Sequence, residues 1–101
     1  MTRIAAYVPD LMDRSKVAAA GGADVTFVLA PSELATAGAE LVVVDLARPG
    51  VLDALPGLAG VRSIGFASHV DKELADAAAA AGCDEVLPRS RFFSTLVELL
   101  A

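Results

Sequence analysis

A chain of 101 residues with 55% apolar content is long enough to bury one ordinary hydrophobic core. Its formal charge of -5 and pI near 4.6 leave eight Lys and Arg scattered along the chain, which argues against a basic surface and so against direct nucleic-acid binding. No apolar run approaches the roughly 20 residues that span a bilayer, the one cysteine cannot close an internal disulfide, and a single histidine provides no soft-metal cluster. Met1-Thr2-Arg3 leads straight into a short strand where a secretory leader would have its apolar stretch. One domain over 1–101, in the cytoplasm and without membrane contact, is expected.

In chain order, the pattern predicts a strand over 4–8 and a helix over 10–20 that stops at Gly21-Gly22. A second strand follows over 25–29, and Pro31-Ser32-Glu33 opens a short helix closed by Gly38. Residues 41–46 form a third strand; 51–58 hold little helix because Pro56 and Gly57 interrupt them. A fourth strand covers 61–67. Asp71 then caps a helix with Leu74, Ala77, Ala78 and Ala81 on one face, ended by Gly82. A short strand over 85–87 and a last helix over 91–100 complete the chain, with Cys83 a buried, inert thiol. Five strands separated by helical segments require parallel pairing with right-handed crossovers, an α/β three-layer doubly wound sheet.

The segment LVVVDLARPG, residues 41–50, is the most informative: a buried strand delivers one carboxylate, Asp45, to its carboxyl end. In open α/β sheets ligands and chemistry gather there. The same Asp45 equally suits a turn that Pro49 and Gly50 complete.

Three stretches resemble the receiver domain of bacterial response regulators, the CheY-like family with its flavodoxin-like fold. LVVVDLARPG is similar to the phosphoacceptor strand, with Asp45 at the aspartate and Pro49 four residues on. AAAAAGCDEVLPRSRF is similar to the helix end, strand and loop that carry a Lys-Pro pair, and YVPDLMDRSKV to the first strand and acidic loop. The resemblance implies two-component signal transduction, in which the aspartate takes a phosphoryl group from a histidine kinase. It also implies Mg²⁺ held by an acidic pair, and a hydroxyl and a lysine that grip the phosphoryl group. Only part of that set is present. Asp10 and Asp45 make an incomplete metal pair, because Pro9 stands at the first acidic position. Ala67 falls at the hydroxyl position with Ser68 one residue later, and Arg89 replaces the lysine, with Ser90 in place of the proline.

Asp10 and Asp13 also fit a helix N-terminus, where carboxylates satisfy free N–H groups. Arg89 is expected to pair with Asp45, giving a neutral site that needs neither metal nor phosphate, and Arg48 after Asp45 is a further source of positive charge. Ser68-His69 lacks a third group for hydrolysis, and His69 reads as a loop residue. The acidic loop after the first strand would repel a flavin or dinucleotide phosphate. In the last helix Phe92, Phe93, Leu96, Val97, Leu99 and Leu100 cover more than the roughly 100° that a single sheet face requires. Phe93, Val97 and Leu100 are therefore the candidate interface, for a homodimer or another protein. The expectation is a stand-alone pseudo-receiver: no enzyme, no cofactor, working through a protein partner such as a histidine kinase or output protein. The alternative is an atypical working receiver with Asp45 phosphorylated, Asp10 the lone further Mg²⁺ ligand and Arg89 in the lysine's place.

Overall fold

The computed structural model describes residues 2–58 and 60–100; the expected start at Met1 and the ends of the 1–101 span lie outside them. Five strands, β1 (Ile4–Tyr7), β2 (Val25–Phe27), β3 (Leu41–Asp45), β4 (Arg62–Ala67) and β5 (Glu85–Pro88), form one parallel sheet in the order β2-β1-β3-β4-β5. The expected parallel α/β sheet is present, with strand ends displaced by a residue or two. The described residues include no helix long and apolar enough to cross a membrane.

Because side chains alternate across a strand, neighbouring residues feed two separate cores. Ile4, Ala6, Leu41, Val43, Ile64 and Phe66 face α1 (Leu11–Gly21) and the terminal helices, where they pack on Val17, Phe92, Leu96 and Leu100. Ala5, Val42, Val44 and Ala67 face the other layer and meet Leu34, Val51, Leu55, Leu58 and Ala78. That layer contains α2 (Val51–Ala54) and α3 (Lys72–Ala80). Gly65 lies on this face under Leu46, and a Cβ there would meet the Leu46 side chain at 2.6 to 2.8 Å.

Three elements differ from expectation. The segment after β2 is a 3-10 turn, Pro31–Thr36, a geometry common in short connectors. It ends before Gly38, whose φ of 68° suits glycine. The 51–58 segment holds little helix, as expected: after α2 the chain tightens into a further 3-10 turn, Leu55–Leu58, where Pro56 has no N–H for the helical ladder. In α3, Ala78 is buried and Leu74 and Ala81 are half-buried, while Ala77 faces solvent. The last helix starts earlier and is broken, as α4 (Arg89–Ser94) and α5 (Leu96–Leu100). At the break, Thr95 has φ -114° and ψ 11°, and its N–H and hydroxyl both donate to the Arg91 carbonyl, at 3.2 and 2.8 Å. Such side-chain bonds compete with the helical ladder.

Phe92, Leu96 and Leu100, each four residues apart, form one buried row, which corrects the candidate interface. Leu100 belongs to the core at 7% exposure, and Phe93 is half-buried against it. Only Val97 of the three is open, at 70%.

Candidate functional site

At the carboxyl ends of the strands lies an open cleft of about 470 Å³, lined by Asp10, Asp13, Asp45, Ala47, Arg48, Pro49, Phe66, Ser68 and Arg89. β3 supplies Asp45, whose Oδ1 accepts the Ala47 N–H at 3.0 Å and whose Oδ2 accepts the Arg48 Nε–H at 3.3 Å. A turn closed by the Arg48 N–H on the Asp45 carbonyl brings the guanidinium back over the carboxylate. Gly50, in the left-handed region at φ 84°, then starts α2. Asp45 therefore both ends its strand, as the turn pattern implied, and faces the cleft.

Arg89 does not pair with Asp45, contrary to expectation. It begins α4 directly after β5, and its guanidinium forks onto Asp13, with Nη1 donating to Oδ2 at 2.6 Å and Nη2 to Oδ1. This hydrogen-bonded pair holds the Arg89 pKa above its ordinary value. Asp13 is 1% exposed, so the fork neutralises a carboxylate that water barely reaches. The reason for the partner choice lies on α1. Asp13 and Val17, four residues apart, share the buried face of the helix. A carboxylate there requires a counter-charge, whereas Asp45 already has Arg48. The reading of Asp13 as a capping acid missed this; its i,i+4 spacing to Val17 was the available signal.

Asp10 is the helix cap. Its Oδ1 accepts the Asp13 and Met12 N–H groups, each at 3.0 Å. The bond from the Asp13 N–H is the main cause that lowers its pKa, against a smaller opposing effect of desolvation. Ala67 is buried on the opposite face of the sheet and does not line the cleft, whereas Ser68 is exposed and does. His69 follows in the exposed loop. Cys83 is buried, and burial pushes its thiol pKa up.

Mg²⁺ demands near-octahedral oxygen ligation. The carboxylates here do not fit that need: Asp13 is forked by Arg89, Asp45 is bound by Ala47 and Arg48, and Asp10 caps α1. Among the described residues no three His, Cys, Asp or Glu side chains gather into a set that could hold a metal ion. Chemically, the cleft is a pair of internal ion pairs beside a hydroxyl and a capping carboxylate.

No protein-family model and no curated protein matches the sequence. Solved structures match over nearly the whole chain. A response regulator from Hahella chejuensis is 14% identical with a TM-score of 0.84, over 99% of this chain and 92% of that one. One from Thermotoga maritima is 18% identical with a TM-score of 0.80, over 99% and 95%. A putative pilus assembly-related protein from Burkholderia pseudomallei is 18% identical with a TM-score of 0.77, over 99% and 87%.

Proposed function

We propose that this chain, which has the fold of response-regulator receiver domains, is a receiver-like regulatory module that acts through protein contacts without conventional Mg²⁺-dependent phosphorylation. The observation that carries this reading is the Asp13–Arg89 fork. If Arg89 swung to a phosphoryl group on Asp45, a carboxylate at 1% exposure would remain without its counter-charge. With the guanidinium 36% exposed and partly screened, stranding that carboxylate costs about 2–3 kcal/mol. Arg89 is thus committed to the fold and not free for the lysine's role.

Other features support the same reading. Asp10 is engaged as a cap, and Ala67 offers no hydroxyl to the cleft. Nothing in the cleft assembles a nucleophile, a positioned base and an oxyanion site, so the module is not an enzyme. It needs no cofactor and works in the cytoplasm, with a histidine kinase or an output protein as the class of partner. The fold also occurs in a neighbour described as pilus assembly-related, so its use is not confined to proteins described as response regulators. The contact surface centres on Val97 with the half-buried Phe93 beside it, where a second copy would also pair.

Titration with MgCl₂ followed by amide resonances tests the reading. Signals of Asp10 and Asp45 should stay in place at millimolar Mg²⁺. Saturable shifts at both would favour the atypical working receiver, with Asp45 as phosphoacceptor.

A further inference from the structure

We propose that the groove between α2 and α3 docks a partner protein through an amphipathic helix that carries lysine or arginine. The proposal goes beyond the reading above, whose contact surface at Val97 lies on the other layer of the fold, beside Leu96 and Leu100.

The groove, about 270 Å³, is lined by Leu52 of α2 and by Asp71, Glu73, Leu74 and Ala77 at and after the start of α3. Its floor is apolar. Leu52 and Leu74 pack on the buried cluster of this layer but stay half-buried, because α2 has only four residues before the chain tightens at Leu55. Ala77 lies four residues after Glu73 on the same exposed face of α3, and its small side chain keeps the groove open where a longer one would cover the floor. The rim is acidic. Asp71 and Glu73 are both exposed, and among the described residues neither forms a salt bridge. Asp71 Oδ1 accepts the Leu74 N–H at 2.9 Å, which fixes that carboxylate at the mouth of the groove. Lys72, between them in sequence, pairs instead with Asp76 at 2.7 Å.

This arrangement selects the occupant. An apolar floor beside carboxylates without a counter-charge matches a helix that presents apolar anchors with a cation about one turn away. A second copy offering the same groove would set Asp71 and Glu73 against the same acids, so two-fold pairing here is opposed by like charge. The formal charge of -5 adds to that repulsion. An anionic lipid surface is repelled for the same reason. A cationic helix meets neither obstacle, and its binding weakens with salt because the rim is exposed.

The probe is a synthetic amphipathic helix of about four turns with Leu and Lys four residues apart, titrated into the full chain and followed by methyl NMR. The methyls of Leu52, Leu74 and Ala77 should shift saturably while those of Val97 stay in place. The same peptide with Glu for each Lys should leave all of them unmoved. Glu73→Lys, at an exposed position, should weaken binding of the Lys peptide about tenfold, and Glu73→Gln by less. Ala77→Gln, which extends a side chain over the floor, should weaken it as well. Absence of saturable shifts, shifts centred on Val97, or equal binding of the Glu peptide would overturn the proposal. So would movement of the groove methyls with phosphatidylglycerol vesicles, which assigns the groove to lipid, or with protein concentration alone, which assigns it to a second copy. These titrations involve neither Mg²⁺ nor Asp45, so their failure is distinguishable from failure of the functional reading.

Discussion

Arg89→Met is the perturbation whose cost can be worked most directly from the structure, since methionine keeps much of the stem and removes only the guanidinium. Breaking a buried ion pair by removing one partner costs about 3–5 kcal/mol. Here the carboxylate is 1% exposed but the guanidinium side chain keeps 36% exposure. Water screens part of the interaction, so about 2–3 kcal/mol is the better expectation. The Arg89 Cζ lies 5.0 Å from the centre of the Phe93 ring, and loss of that cation adds roughly 0.5–1 kcal/mol. The predicted total is about 3 kcal/mol, on the order of 15 °C in Tm for a domain of this length. Urea unfolding with matched m values measures it, and adding Asp13→Asn to Arg89→Met should restore part of the loss by removing the stranded charge. A loss below about 0.5 kcal/mol, the value of a solvated surface pair, would refute the argument that Asp13 depends on Arg89.

Gly65→Ala should cost about 1–3 kcal/mol in chemical denaturation, because Leu46 occupies the space a Cβ needs. Val97→Asp should leave stability within about 0.5 kcal/mol and abolish any self-association seen by sedimentation, while Leu100→Asp, in the core, should prevent folding. For Asp10 the folded pKa is lowered, chiefly by the Asp13 N–H bond, so its contribution is present above the ordinary carboxylate pKa. That contribution disappears as pH falls through the lowered value, and Asp10→Ala should flatten this part of the acid limb of a Tm-versus-pH curve. Cys83, buried and with its thiol pKa raised, should react with a thiol reagent only on unfolding; rapid labelling of the native protein would contradict its placement.

The sheet was legible because a strand buried on both faces reads as a short continuous apolar, β-branched run, as in residues 41–44, bounded by turn residues. Asp45 was legible as a carboxylate delivered to a strand end for the same reason. Arg89's partner was not, because the choice between Asp13 and Asp45 depends on which carboxylate is buried and which already has a local cation. Arg48, three residues after Asp45, settles that choice through turn geometry, and Asp13 lies 76 residues from Arg89. The broken terminal helix was hidden for a related reason. Ser94 and Thr95 are ordinary helix residues by composition, and the hydrogen bonds of their hydroxyls to the Arg91 carbonyl arise only from local geometry. Leu100 itself was legible, because it lies four residues beyond Leu96 and eight beyond Phe92, on the same buried row of a helix.

The account's central claim concerns what the cleft can do to Asp45. Incubation of the protein with acetyl phosphate and Mg²⁺, followed by intact-mass measurement, tests it most directly. The account predicts no phosphoryl adduct, because Arg89 is held by Asp13 and the carboxylates do not fit the metal. A stable adduct on the native protein that is absent from Asp45→Asn would contradict it.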